Sequence, residues 1–131
     1  MREAFVRALS ELAAEDPDVM LITGDLGFGV LTDFAERFPS NFLNAGVAEQ
    51  NMTAVACGMA MAGARAYTYS IGNFPTLRCL EQLRNDVCYH RADVKTLAGD
   101  KQLLALSPHA GNLRRRRLNG NRAYFRSADW R

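Results

Sequence analysis

The stretch "NAGVAEQNM", residues 44–52, sets one carboxylate, Glu49, among small and neutral residues. Directly after it, "TAVACGMAMAG" (53–63) is uncharged and crowded with Ala, Gly and Met. The preceding "NFLNAG" (41–46) is a short apolar segment with a glycine exit. The local pattern is therefore strand, tight turn, then a helix from about Ala48 to Ala62. An acid in a first helical turn offsets the unpaired amides there, and that alone can account for Glu49. Two features point further. The "NAG" turn allows close backbone approach, and a helix so rich in small residues packs tightly against another surface. At such a buried junction an acid answers to a partner group rather than to water.

Working outward, residues 3–15 form an amphipathic helix. Phe5, Leu9 and Leu12 recur at i, i+4 and i+7, and Val6 and Ala13 widen the apolar face. Pro17 ends it, because a proline disfavours helical geometry in the residue before it. "VMLIT" (19–23) has the length of a strand and closes in "GDLGFG" (24–29). A second helix is predicted over 31–38, stopped by Pro39, and "ARAYTYSI" (64–71) alternates as a strand should. After "GNFP" a longer helix is predicted from about 75 to 90, with Leu77, Leu80, Leu83 and Val87 as its apolar stripe. Helices alternating with short apolar strands imply an α/β fold, a parallel sheet with helices on both faces. Such sheets bind ligands beyond the C-terminal strand ends, where "GDLGFG", "NAGVAEQ" and "SIGNF" all fall.

Composition agrees with one domain. The chain has 131 residues, 48% apolar and 23% charged, ordinary for a globular protein of that size. No uncharged apolar run nears the roughly 18 residues of a membrane span. The N-terminus has acids throughout and no apolar core of a signal peptide, so a cytoplasmic location is expected. Cys57, Cys79 and Cys88 show no metal-ligand spacing and read as reduced thiols, with Cys57 a small core residue. No metal site is expected on them. Charge is uneven: residues 1–95 sum to −4 and residues 96–131 to +6. From Thr96 the periodic pattern fails, so a domain over 1–95 and a poorly ordered basic tail over 96–131 are expected.

The glycines of "GDLGFG" run G-x-x-G-x-G, the wrong order for a dinucleotide loop, and no phosphate-loop lysine follows. A strand-to-helix turn is the simpler account, with Asp25 an interface or ligand contact. Phe74 and Arg78 lie four apart after "SIGN". Phe74 there is a core residue or a stacking platform at the strand-end crevice. Glu81, Arg84 and Asp86 read as solvated or interface charges. His90 and His109 have no evident partners, and no nucleophile motif is present.

In the order "GDLG", "NAGVAEQNM", "SIGNF…LEQLRNDV", the chain resembles the pyrimidine-binding (Pyr) domain of transketolase and its thiamine diphosphate-dependent relatives. These include 1-deoxyxylulose-5-phosphate synthase and the beta subunits of 2-oxo acid dehydrogenases. The resemblance covers roughly residues 1–95 and is strongest to the C-terminal subunit of split transketolases. It implies that Glu49 hydrogen-bonds N1′ of the cofactor's aminopyrimidine ring. Protonation there favours the 4′-imino form that deprotonates thiazolium C2, and a two-carbon ketol unit then moves between sugar phosphates. It further implies that Phe74 stacks on the pyrimidine, with the match slipping by about a residue, and that Asp25 and Arg78 lie on the cofactor side. The diphosphate and its Mg²⁺ belong to a diphosphate-binding (PP) domain supplied by a partner subunit in an oligomer.

The resemblance also implies a domain continuing well past "ADVK", with an apolar strand ending in glycines, where this chain reads "TLAGDKQ" and then "RRRR". Two readings of the tail follow. It is a basic extension that binds nucleic acid or an acidic partner, or the chain is truncated or out of frame after about residue 95. The break falls inside an expected domain, which favours the second. An inactive truncated fragment is then the alternative to an enzyme subunit.

Overall fold

The computed structural model describes residues 2–98 and the strand Gln102–Ala105. Helix α1 (Arg2–Glu15) leads to strand β1 (Val19–Thr23), helix α2 (Thr32–Arg37) and strand β2 (Phe42–Asn44). Helix α3 (Glu49–Met61) and strand β3 (Arg65–Ser70) follow. The next helical stretch is composite: a 3₁₀ turn at Leu77–Cys79, a short α-helix α4 (Leu80–Gln82), and a π-helix over Leu83–Cys88. Strands β4 (Val94–Ala98) and β5 (Gln102–Ala105) complete the order. The sheet runs β2-β1-β3-β4-β5. The first four strands are parallel, and β5 pairs antiparallel with β4.

Helices cover both faces, as the alternation of elements predicts. Alternate residues of each strand point to opposite sides, so β3 sends Tyr67 and Tyr69 toward α1 and α2 and sends Ala66 the other way. One core joins Val6 and Leu9 of α1 to Val19, Leu21, Phe34, Tyr69 and Leu97. The other joins Ile22, Ala66 and Val94 to Met52, Ala56 and Cys57 of α3 and to Cys79, Leu83 and Val87. Cys57 is the small core residue expected. In α1 the buried side is Val6, Leu9, Ser10 and Ala13, while Leu12 faces solvent. On the α3 side, Thr68 and Thr96 face each other in register and share a 3.0 Å hydroxyl hydrogen bond. That bond satisfies two polar groups with no access to water.

Two expectations need correction. The pattern does not fail at Thr96: "VKTLA" is a strand buried along its whole length. With both faces covered it has no reason to alternate, and its lysine and threonine hide it. Lys95 stays inside by pairing with Asp93 at 2.6 Å and lying over the Tyr67 ring. Likewise, 75–90 is not one regular helix. Its N-terminal turn is wound tighter than an α-helix and its C-terminal half wider. This rotation removes Leu77 and Leu80 from the apolar stripe, leaving Leu77 69% exposed, and puts Cys79 in the core instead. His109 and the arginine-rich run, with the nucleic-acid reading attached to them, lie outside the described residues. Among the described residues no helix is long and apolar enough to cross a membrane.

Candidate functional site

Strand order decides where the loops meet. From β1 the chain moves to β2 on one side and later to β3 on the other, so the loops leaving β1 and β3 flank a crevice at a topological switch point. The loop leaving β1 carries Gly24 and Asp25; the loop leaving β3 carries Phe74 and leads to Arg78. Between them the short turn after β2 delivers the start of α3, and Glu49 is its first residue.

Glu49 is 3% exposed, and it does not cap its helix: Ala48 sits at the cap position with no side-chain hydrogen bond to the free amides. The carboxylate instead reaches across to the neighbouring loop. Arg78 Nη1 donates to Glu49 Oε2 at 3.0 Å, and the same guanidinium lies 4.1 Å from the centre of the Phe74 ring. The helix-end explanation therefore accounts for Glu49's position in the chain but not for where its charge goes. Gln50 fastens the same junction from the helix side, donating Nε2 to the Arg78 carbonyl at 3.2 Å. Cys79, the next residue, donates its thiol to the Phe74 carbonyl at 3.2 Å, which ties Phe74 to the buried side of the turn.

Close approach fixes the third loop. A Cβ built on Gly24 would stand 3.3 Å from Cγ of Glu49 and 3.6 Å from the Gly46 carbonyl oxygen. Any larger residue at 24 would press on the Glu49 side chain. The next residue, Asp25, has φ +58, a conformation that costs a non-glycine residue about 1 kcal/mol. Asn44 holds it there: its Nδ2 donates to Asp25 Oδ1 at 2.8 Å. Its Oδ1 accepts from the Asp25 and Gly46 amides, both at 3.0 Å. Thr23 closes the other end of the turn by donating its hydroxyl to the Leu26 carbonyl at 2.7 Å. One amide side chain thus joins "GDLG" to "NAG". We expect Asn44→Ala to lower stability by about 1–2 kcal/mol, measured by urea unfolding. An unchanged midpoint would mean that the turn holds itself.

Glu49, Phe74 and Arg78, singled out from sequence, therefore come together, and Asp25 stands on the adjoining loop, paired with Asn44. Asn44 was missed by sequence reasoning. Its signal was present, since Asn at a strand end before a glycine commonly bonds its neighbours' backbone. The cysteines offer no competing chemistry. Burial pushes the thiols of Cys57, Cys79 and Cys88 up, away from the thiolate form that reacts. A separate groove between α1 and α2, lined by Glu3, Arg7, Ser10 and Asp33 among others, lies on the opposite face of the sheet from Glu49.

Two large apolar side chains beside the site are uncovered. Val47 is 78% and Phe28 80% exposed, one on each of two loops that border Glu49. On α3 the outward residues Gln50, Asn51, Ala54 and Gly58 carry no charge, and Met61 extends that face.

Residues 1–100 match the family described as "Transketolase, pyrimidine binding domain". An apulose-4-phosphate transketolase subunit of Phocaeicola vulgatus is 35% identical over 97 residues, 73% of this chain and 31% of that protein. A putative transketolase C-terminal section of Methanocaldococcus jannaschii is 37% identical over 99 residues, 75% of this chain and 31% of that protein. A solved structure described as "Split gene transketolase, inactive beta4 tetramer" superposes with a TM-score of 0.68 at 39% identity, covering 74% of this chain and 33% of its own. The chain spans about a third of the length of these relatives.

Proposed function

This chain belongs to the transketolase pyrimidine-binding domain family, and from that premise we propose that it is the cofactor-activating part of a thiamine diphosphate-dependent transferase. It moves a two-carbon ketol unit between sugar phosphates when a diphosphate-binding partner subunit completes the site. The observation that carries this reading is the buried Glu49 carboxylate, bonded across the crevice to a flat cation that rests on Phe74. A pocket that seats a planar N–H donor between a carboxylate and an aromatic face suits a protonated aminopyrimidine, which has the same shape and the same donor. When bound, thiamine diphosphate supplies the electron sink for the two-carbon unit.

The chain's own residues have separable tasks. Glu49 accepts the hydrogen bond from ring nitrogen N1′ and holds the shared proton there, in a position closed to bulk water. Phe74 presents a ring face for stacking. Gly24 keeps the crevice wide enough for the Glu49 side chain, and Asp25, locked by Asn44, shapes the wall toward a neighbouring subunit. Arg78 borders the same space. Mg²⁺ and the diphosphate fall to the partner. The exposed Val47 and Phe28, beside the uncharged outer face of α3, are the kind of apolar side chains that a partner surface covers.

Titration with thiamine diphosphate and Mg²⁺ tests this, using the chain alone and the chain mixed with a split-transketolase subunit carrying the diphosphate-binding domain. Tight binding is expected in the mixture only. Tight binding by the chain alone would overturn the two-subunit reading.

A further inference from the structure

Arg78 holds both of the contacts that the preceding reading assigns to the cofactor's ring. Its guanidinium is planar, bears N–H donors in that plane and is positively charged. It donates to Glu49 Oε2 at 3.0 Å, and its central carbon lies over the Phe74 ring at 4.1 Å from the ring centre. The Glu49 side chain is buried, yet that of Arg78 is 48% exposed, so the arginine enters the site from its open side. Its backbone sits in a 3₁₀ turn rather than a regular helix. No hydrogen bond other than the Glu49 contact is made by the guanidinium among the described residues.

We propose that Arg78 is an internal stand-in for the aminopyrimidine: it fills the ring's place between Glu49 and Phe74 and must swing outward as the ring enters. This inference rests on reading the site as an aminopyrimidine site and adds a regulatory device to it. The exchange replaces one planar donor by another on the same carboxylate and the same ring face. Glu49 is then never left buried without a partner, which would be costly. The guanidinium, once released, has solvent beside it and needs no new buried partner. Arg78 is thus a competitor of the cofactor ring within its own chain rather than one of its ligands.

The test is binding of thiamine, which lacks the diphosphate and so does not call on a partner's phosphate site. Saturation-transfer NMR on the full chain reads it without any turnover. Arg78→Ala is expected to bind thiamine about tenfold more tightly than the wild type, since one charge-assisted hydrogen bond no longer has to be broken. Adding methylguanidinium chloride to the Arg78→Ala chain is expected to weaken thiamine binding again, while tetramethylammonium chloride at equal concentration does not. Arg78→Lys keeps the charge but loses the flat fork, and its affinity should fall between the two. It serves as the measured variant if circular dichroism shows that Arg78→Ala does not fold.

Weaker binding by Arg78→Ala or Arg78→Lys, or affinity equal to the wild type, overturns the stand-in and makes Arg78 a ligand or a bystander. The site reading survives that result. Loss of saturation transfer on Phe74→Ala in the Arg78→Ala background supports both. Absence of thiamine binding in every form at millimolar concentration removes the site reading, and the stand-in falls with it.

Discussion

Glu49→Gln, assembled with a diphosphate-binding partner, is expected to bind thiamine diphosphate within a few-fold of the wild type and to lose turnover by about a thousandfold. The glutamine fills the same volume, and its carbonyl oxygen still accepts a hydrogen bond from Arg78 or from a ring N–H. What it cannot do is take up or share a proton, and a positioned proton-transfer group contributes about 10²–10⁴ in rate. The cost to folding is small, because Arg78 is half exposed and such a pair contributes less than about 1 kcal/mol. Binding by calorimetry and turnover by a coupled ketol-transfer assay separate the two effects. Turnover near the wild-type value would reduce Glu49 to a helix-start residue that happens to meet an arginine.

Phe34→Ala carries the largest expected loss of stability, about 3–5 kcal/mol. Phe34 is fully buried and is the only buried residue of α2, a helix of six residues that has no stability of its own in water. Its ring packs against Phe38 at 5.1 Å and closes the core on the α1 face. Without it α2 loses its anchor, and so does the loop from Gly24 to Leu31, where Gly27 already sits so close to Leu31 and Tyr69 that a Cβ would clash. Urea unfolding measures the stability. A loss below about 1 kcal/mol would show that α2 is held by its backbone alone.

How much of this was legible in the sequence differs from residue to residue. The strands "VMLIT" and "RAYTYS" announced themselves because length and alternation survive without context. The site was legible through order: three motifs at the ends of successive parallel strands must converge, whatever the details of their loops. β4 was hidden, because a strand covered on both faces shows no alternation and this one carries Lys95 and Thr96. Their burial depends on Asp93 and on Thr68, 28 residues away in the chain. The composite helix after Phe74 was hidden for a related reason. Apolar spacing suggests a stripe of Leu77, Leu80, Leu83 and Val87, but winding is set by the bonds the turn makes. The Arg78 contact with Glu49 is a pairing across 29 residues, which no local window contains.

The antiparallel pairing of β5 has a practical meaning for anyone handling this protein. Ala105 lies in register with Lys95, whereas Gln102 lies beside Ala98. The backbone therefore doubles back, and Ala105 stands at the end where the parallel strands begin, a full strand length from the crevice. A fluorophore, an affinity handle or a surface tether attached at position 105 starts on the far side of the sheet from the crevice. It leaves the mouth of the crevice, and the approach of a second subunit to it, unobstructed at the point of attachment.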